Sequence, residues 1–372
     1  MNYKQIKNTL YILAIALIAI ACKSDNNDNS TDDNFDRSSI LINVADNIII
    51  PAFKDFSTKA AALKAKVDSF NNLPEVSTLT ETRAAWLNAY KAWQHVGMFQ
   101  VGKAEEVGFI NFTNVYPVES DKIKNNIDSG SYDLDHPNNH NAQGFSALDY
   151  MLYGLALTDD KILDKYTKDA KSENYKTYLN KLATKISELS SQILNDWENT
   201  YRDTFVSESG NTSTSSLNLL TNDFIFFYEK ELRSKKIGIP AGKFSGDIPY
   251  PDQVEAFYSQ TNSRELAIEA LNSVISFFNG THFNDNSSSG ASLKSYLEAL
   301  DQAKLAQQIN EQLQVAKAQI NTLNNNFYQQ INSDNASVLS AYDELQKVVT
   351  LIKVRMMQAI QISVDFNDSD GD

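Results

Sequence analysis

Few residues in this chain can do metal or nucleophilic chemistry, and their spacing narrows the choice further. The 372 residues include four histidines, one cysteine and 47 acidic side chains. A zincin sets two histidines around a glutamate on one helix face, but the residues three beyond His95, His136, His140 and His282 are Met98, Asn139, Gln143 and Asp285. His282-x-x-Asp285 comes nearest, yet it falls in an Asn/Ser-rich loop that would not hold two ligands on one face. His136 and His140 flank Pro137-Asn138-Asn139 and read as solvated loop histidines. The acidic ending Asn367-Asp368-Ser369-Asp370-Gly371-Asp372 resembles the start of a calcium loop. Setting Gly371 at the loop's glycine position puts Phe366 where the first acidic ligand belongs, and no bidentate glutamate follows. A solvated tail is the better reading.

Residues 143–154, Gln-Gly-Phe-Ser-Ala-Leu-Asp-Tyr-Met-Leu-Tyr-Gly, are different in kind. Ser146 and Asp149 lie three apart at the start of an apolar helix, so both side chains face one turn. Ser-x-x-Asp before an apolar run is also a capping box that satisfies orphan amides, and spacing alone favours that reading. A nucleophilic Ser146 would need a base, for which only His140 is near in sequence, and nothing marks an oxyanion hole.

These residues must be positioned by helices. Phe53, Phe56, Ala60, Leu63, Val67 and Phe70 recur at spacings of three and four, which predicts a helix and excludes a strand. Trp86, Ala89, Trp93 and Val96 repeat the pattern, as do Leu179, Leu182, Ile186, Leu189, Ile193 and Trp197. A further stripe runs through Ile309, Leu313, Ala316, Ile320, Leu323, Phe327 and Ile331. Further helices are expected near 144–156, 215–236, 263–279, 292–300 and 336–362, with no stretch of strict alternation. The fold class is all-α, as two antiparallel four-helix-bundle-like domains packed side by side. The Ser/Gly/Thr-rich stretch 207–216 sets the boundary, giving bundles over 41–206 and 207–372. Two connections, 102–143 and 234–252, are long but carry Tyr116, Pro117, Ile237, Ile239 and Pro240, too apolar for disorder, so both are expected to be ordered and to border a site.

The N-terminus has the form of a secretion signal: Lys4 and Lys7, an uncharged run from Thr9 to Ala21, then Cys22. That run is shorter than the roughly 20 residues a membrane-crossing helix needs. Small residues before Cys22, the only cysteine, predict cleavage after residue 21 and lipidation of Cys22. Residues 22–40, rich in Asp, Asn and Ser, read as a disordered tether. A lone cysteine leaves no internal disulfide, so stability must come from a core. The formal charge of −14 falls by two more when Lys4 and Lys7 leave with the signal, which argues against nucleic acid as a partner.

Five segments together resemble the imelysin-like proteins. Residues 144–154 look like the family's GxHxxE-type motif, with Gly144 at the glycine, Ser146 in the histidine position and Asp149 in the glutamate position. Arg83 and Trp86 with Trp93 resemble its early Arg/Trp helix, and Tyr116-Pro-Val-Glu-Ser120 its Pro-x-Glu-Ser stretch. Leu232 to Gly242 is similar to its second-half Arg and Ile-Gly-Ile-Pro segment, and residues 364–372 to the acidic ending of its lipoprotein members. The resemblance covers roughly residues 40–372. It implies paired helical bundles with a site at their interface, in exported proteins associated with iron uptake and carrying a metallopeptidase label. Ser146 and Asp149 depart from the His/Glu pair, which argues against zinc and against hydrolysis. The expected function is therefore a non-catalytic, lipid-anchored binding protein of the cell envelope, held at the outer membrane, acting in iron or small-ligand acquisition. Glu119, Gly144, Ser146, Asp149, Arg233 and Tyr116 are the expected ligand-binding residues. Asp149 and Glu119 are the candidate metal ligands, suited through oxygen to iron or another hard cation. Arg233 would hold a carboxylate in a bidentate fork, and the geometry expected is Asp149 meeting Arg233 across the interface. Trp93, Tyr116 and Tyr150 would supply apolar wall. An iron-uptake receptor or another envelope protein is the expected partner. A peptidase and a surface scaffold are the alternatives.

Overall fold

Apolar helix stripes leave water only by closing on one another, and each stripe read above has found a partner. The computed structural model describes residues 35–365; the expected secretion signal, Cys22 and the tail from Phe366 on lie outside the described residues. The Ile50–Asn72 helix buries Phe53, Phe56, Ala60, Leu63, Val67 and Phe70, the positions its periodicity selects. It packs against Val76–Trp93 and Ser172–Asp196, which bring Trp86, Ala89 and Trp93 and the stripe Leu179 to Ile193 to a shared core. In the second half, Ala303–Asn321 packs on Phe327–Val349 and Ser263–Asn279. The fold is all-α; the two strands among the described residues, Thr281–His282 and Asp285–Ser289, form a small polar hairpin. From Asp36 on the described residues form one compact unit.

Three features differ from the sequence reading. The first helix begins at Arg37, inside the expected tether of 22–40: Asp36 caps it by accepting from the Ser38 amide, and Arg37 and Ile40 are buried. This rod also ties to the second half, since Asn43 donates to the carbonyls of Gly280 and Ala291. The stripe from Ile309 to Ile331 is not one helix. It breaks between Asn321 and Phe327, where Asn326 caps the next helix by accepting from the Gln329 amide. Finally, several helices contain π-helical segments, including Val44–Ile49, Tyr150–Gly154, Trp197–Tyr201, Phe227–Gly238 and Thr350–Met356.

Candidate functional site

Residues 143–154 owe their position to one glycine. Gly144 has φ +76°, and a Cβ there would lie 2.4 Å from the Thr113 carbonyl oxygen, so only glycine lets the helix start this close to the preceding loop. The Gly144–Asp149 helix that follows is buried at every position. Trp86 fixes it from the first bundle of helices by donating Nε1–H to the Phe145 carbonyl at 3.0 Å, and Tyr90 stacks on the Phe145 ring at 4.4 Å.

Ser146 and Asp149 do not cap this helix. Ser146 Oγ donates to the Val115 carbonyl. Asp149 reaches 109 residues along the chain, accepting from the Tyr258 amide at 2.8 Å and the Ser259 amide at 3.0 Å. That contact latches an irregular strap in which Ala256 and Gln260 hold φ of +57° and +61°, a conformation that costs a side-chain-bearing residue about 1–3 kcal/mol and persists only when its surroundings enforce it. Between latch and strap lies a cavity of about 240 Å³ lined by Tyr116, Pro117, Val118, Ser120, Ser146 and Asp149 on one side. Asp252, Val254, Ala256, Phe257 and Tyr258 complete it.

Burial pushes the Asp149 carboxyl up to about 7, against the lowering effect of its two amide donors. Asp223, which accepts from the Gln100 amide, is pushed to about 7 for the same reason. A carboxyl whose folded pKa exceeds its unfolded value keeps a proton that the unfolded chain has already lost. Stability should therefore fall as pH rises from about 4 to about 7, by roughly 4 kcal/mol for a shift as large as that of Asp149. Urea midpoints measured at intervals across that window should decline with pH, and the decline should shrink in Asp223→Asn. A midpoint that rises from pH 4 to 7 would contradict the burial account.

Of the expected binding residues, the structure brings Tyr116, Ser146 and Asp149 to one cavity and leaves the others outside its lining. Glu119 is exposed and pairs with Lys122 while accepting from Asn141. It sits one residue from Ser120 at the cavity edge, but its carboxylate does not join that of Asp149 as a metal ligand. Gly144 acts through its backbone conformation and offers a ligand nothing. Arg233 does not meet Asp149: it is buried with Glu229 at 3.4 Å and donates to Tyr342 and Gln346. Nor does a histidine sit beside Ser146 as a base. His140 packs edge-on to Phe112 with burial lowering its pKa, and His95 pairs with Glu269 at 3.1 Å.

Sequence reasoning missed the strap and the buried charge behind it. Glu255, on the strap, is 2% exposed and accepts from Tyr90 at 2.9 Å, Asn114 at 3.0 Å and Gln94 at 3.3 Å, with Lys236 on its other oxygen. Burial alone would raise its pKa, but the Lys236 charge and these donors hold the carboxyl below its usual range. No periodicity marks residues 251–262; the only available signal was their failure to fit any helix.

A metal ion does not fit the residues present. Both Asp149 oxygens already take backbone amides, Ser146 spends its proton on Val115, and among the described residues no group of three His, Cys, Asp or Glu side chains could hold a metal.

Known proteins share this fold. The Imelysin family model matches residues 49–353. An "Iron-regulated protein A" of Synechococcus elongatus is 21% identical over 231 residues, a match covering 59% of this chain and 58% of that protein's length. Among solved structures, an iron-regulated protein A precursor from Parabacteroides distasonis is similar with TM-score 0.71 at 19% identity, covering 87% of this chain and 95% of its own. An imelysin-like protein from Psychrobacter arcticum is similar with TM-score 0.65 at 19% identity, covering 89% and 97%.

Proposed function

This chain belongs to the imelysin family, and on that premise we propose that it is a lipid-anchored, non-catalytic binding protein of the cell envelope, serving the cell's response to iron by taking a small ligand into the cavity beneath the strap. The observation that carries the reading is the convergence of Ser146, Asp149 and Tyr116 on one cavity, with no base beside the serine and no metal ligand set around the aspartate among the described residues. Such a place can hold a ligand but has no means to cleave one. The iron context rests on the similarity to proteins named for iron regulation. Cys22 would hold the protein on the outer membrane through its lipid, where an iron-uptake receptor or another envelope protein is the partner class.

A deletion strain should grow more slowly than its parent when iron is limiting and equally when iron is replete. The wild-type gene should restore growth, while Asp149→Asn should not at matched protein levels. Equal growth of deletion and parent strains at limiting iron would remove iron from the function. Separately, Cys22→Ser should move the protein from the membrane pellet to the soluble fraction with its helical circular dichroism intact, because acyl chains are the only anchor in this reading. Retention in the pellet would sink the lipid anchor.

A further inference from the structure

The charges around the cavity decide what it can hold. None of its eleven lining residues is a lysine, arginine or histidine, and two, Asp149 and Asp252, are carboxylic acids. The nearby cations are already committed. Lys235 lies 4.9 Å from the Tyr116 ring but pairs with Glu231 at 3.0 Å. Lys236 pairs with Glu255, and Lys124 with Asp121 at 3.0 Å. Arg233, the one residue expected to fork a carboxylate, is buried elsewhere against Glu229. Asp252, by contrast, is exposed at the cavity and makes no ion pair among the described residues.

The walls point the same way. Tyr116, Phe257 and Tyr258 supply three aromatic rings, and the Phe257 and Tyr258 rings meet edge to face at 4.9 Å. Aromatic faces attract cations through the ring quadrupole, and the exposed Asp252 beside them adds a direct charge. Ser146 spends its only proton on Val115, so toward a ligand its hydroxyl can act only as an acceptor. The amides of Tyr258 and Ser259 are spent on Asp149. An entering anion would meet two carboxylic acids and no cation among the lining residues, while the Tyr116 hydroxyl, buried with no hydrogen-bond partner among the described residues, can donate to an anion or accept from a cation.

We infer that the ligand of this cavity is a small organic cation, a protonated amine on a short apolar or aromatic stem, held by Asp252 and the rings of Tyr116, Phe257 and Tyr258. The inference rests on the reading of the cavity as a ligand site and supplies its ligand class. An inorganic cation is the poorer occupant, because Asp149's oxygens are tied to the strap and, among the described residues, no group of three His, Cys, Asp or Glu side chains could hold one. The apolar lining of Pro117, Val118, Val254 and Ala256 suits a carbon stem instead.

Calorimetric titration of the folded mature protein with phenethylammonium and with 3-phenylpropionate, near-isosteres of opposite charge, tests this. The ammonium should bind at least tenfold more tightly. Asp252→Asn, which changes an exposed side chain and leaves the latch intact, should weaken it several-fold, and Tyr116→Ala should weaken it too. Equal affinity, or tighter binding of the carboxylate, would overturn the cationic assignment while keeping the cavity as a ligand site. Binding of neither probe would overturn the ligand-site reading, and the assignment would fall with it. Ammonium binding unchanged in both Asp252→Asn and Tyr116→Ala would place the ligand elsewhere and overturn the inference as well. Calcium chloride or ferric chloride competing out the ammonium stoichiometrically would reassign the cavity to a metal ion.

Discussion

Glu255→Ala should lower stability by about 3–5 kcal/mol, the usual cost of stranding one member of a buried ion pair. Lys236 is 2% exposed and burial already lowers its pKa, so without Glu255 it must either stay buried as an unpaired charge or give up its proton. Three neutral donors, Tyr90, Asn114 and Gln94, would lose their shared acceptor in the same step; Tyr90 keeps Asn114 Oδ1 as an acceptor, but the Asn114 and Gln94 amides would be left unmet, each at about 1–3 kcal/mol if water cannot reach it. The damage should exceed the ion-pair cost alone. These donors come from the first half of the chain and Glu255 from the strap, so the loss also frees one wall of the cavity. Urea denaturation provides the measurement. The double variant Glu255→Leu, Lys236→Met should recover much of the loss, since removing both charges leaves no stranded one. A Glu255→Ala protein within 1 kcal/mol of the wild type would show that the cluster is solvated and that the strap is held by other contacts.

Gly144→Ala should be nearly as damaging and should act on a different link. A left-handed alanine alone costs about 1–2 kcal/mol, and its Cβ would sit 2.4 Å from one backbone atom of Thr113 and 2.6 Å from another. Backbone cannot swing aside as a flexible side chain can, so the helix start must move away from residues 112–115. That motion pulls Ser146 from the Val115 carbonyl and Asp149 from the strap amides. The expected result is a loss of at least 3 kcal/mol together with faster hydrogen exchange at the Tyr258 and Ser259 amides. Unchanged exchange at those amides would separate the glycine from the latch.

The helices were legible because burial imposes a period, and the period is local. Phe53 to Phe70 could be read from six residues without knowing what they touch. The same rule misled at Leu323, which is buried and keeps the spacing of the stripe although it lies in the turn after Asn321. There the three successive asparagines at 324–326 were the better guide, and their capping chemistry outweighs the stripe. At the site, the resemblance led to Ser146, Asp149 and Tyr116, but pairing was beyond it. Asp149 meets the strap 109 residues on, a contact that depends on how whole segments pack, whereas Arg233 meets Glu229 four residues earlier in its own helical segment, a local pair that the spacing offered and the resemblance passed over. Asp252, Phe257 and Tyr258 carry no period because an irregular segment takes its shape from what lies beneath it. Ser146 and Asp149 looked like a cap because a serine three before an acid does the same work in many helices, whereas here the orphan groups they satisfy belong to other segments.

The π-helical segments bear on descent as well as on shape. A π turn holds more residues than an α turn, so each such segment amounts to an extra residue lodged in mid-helix. Losing that residue would tighten the turn and rotate everything beyond it by about 100°. In Tyr150–Gly154, directly after Asp149, such a deletion would leave Ser146 and Asp149 in place but turn Tyr150 and Tyr153 away from their present neighbours, Tyr258 and Trp86. Lineages of this fold can therefore differ in length by single residues inside helices at these points, where ordinary helices tolerate no such change. An alignment of relatives should then open its one-residue gaps within Tyr150–Gly154 or Phe227–Gly238 and keep the Gly144–Asp149 helix free of them.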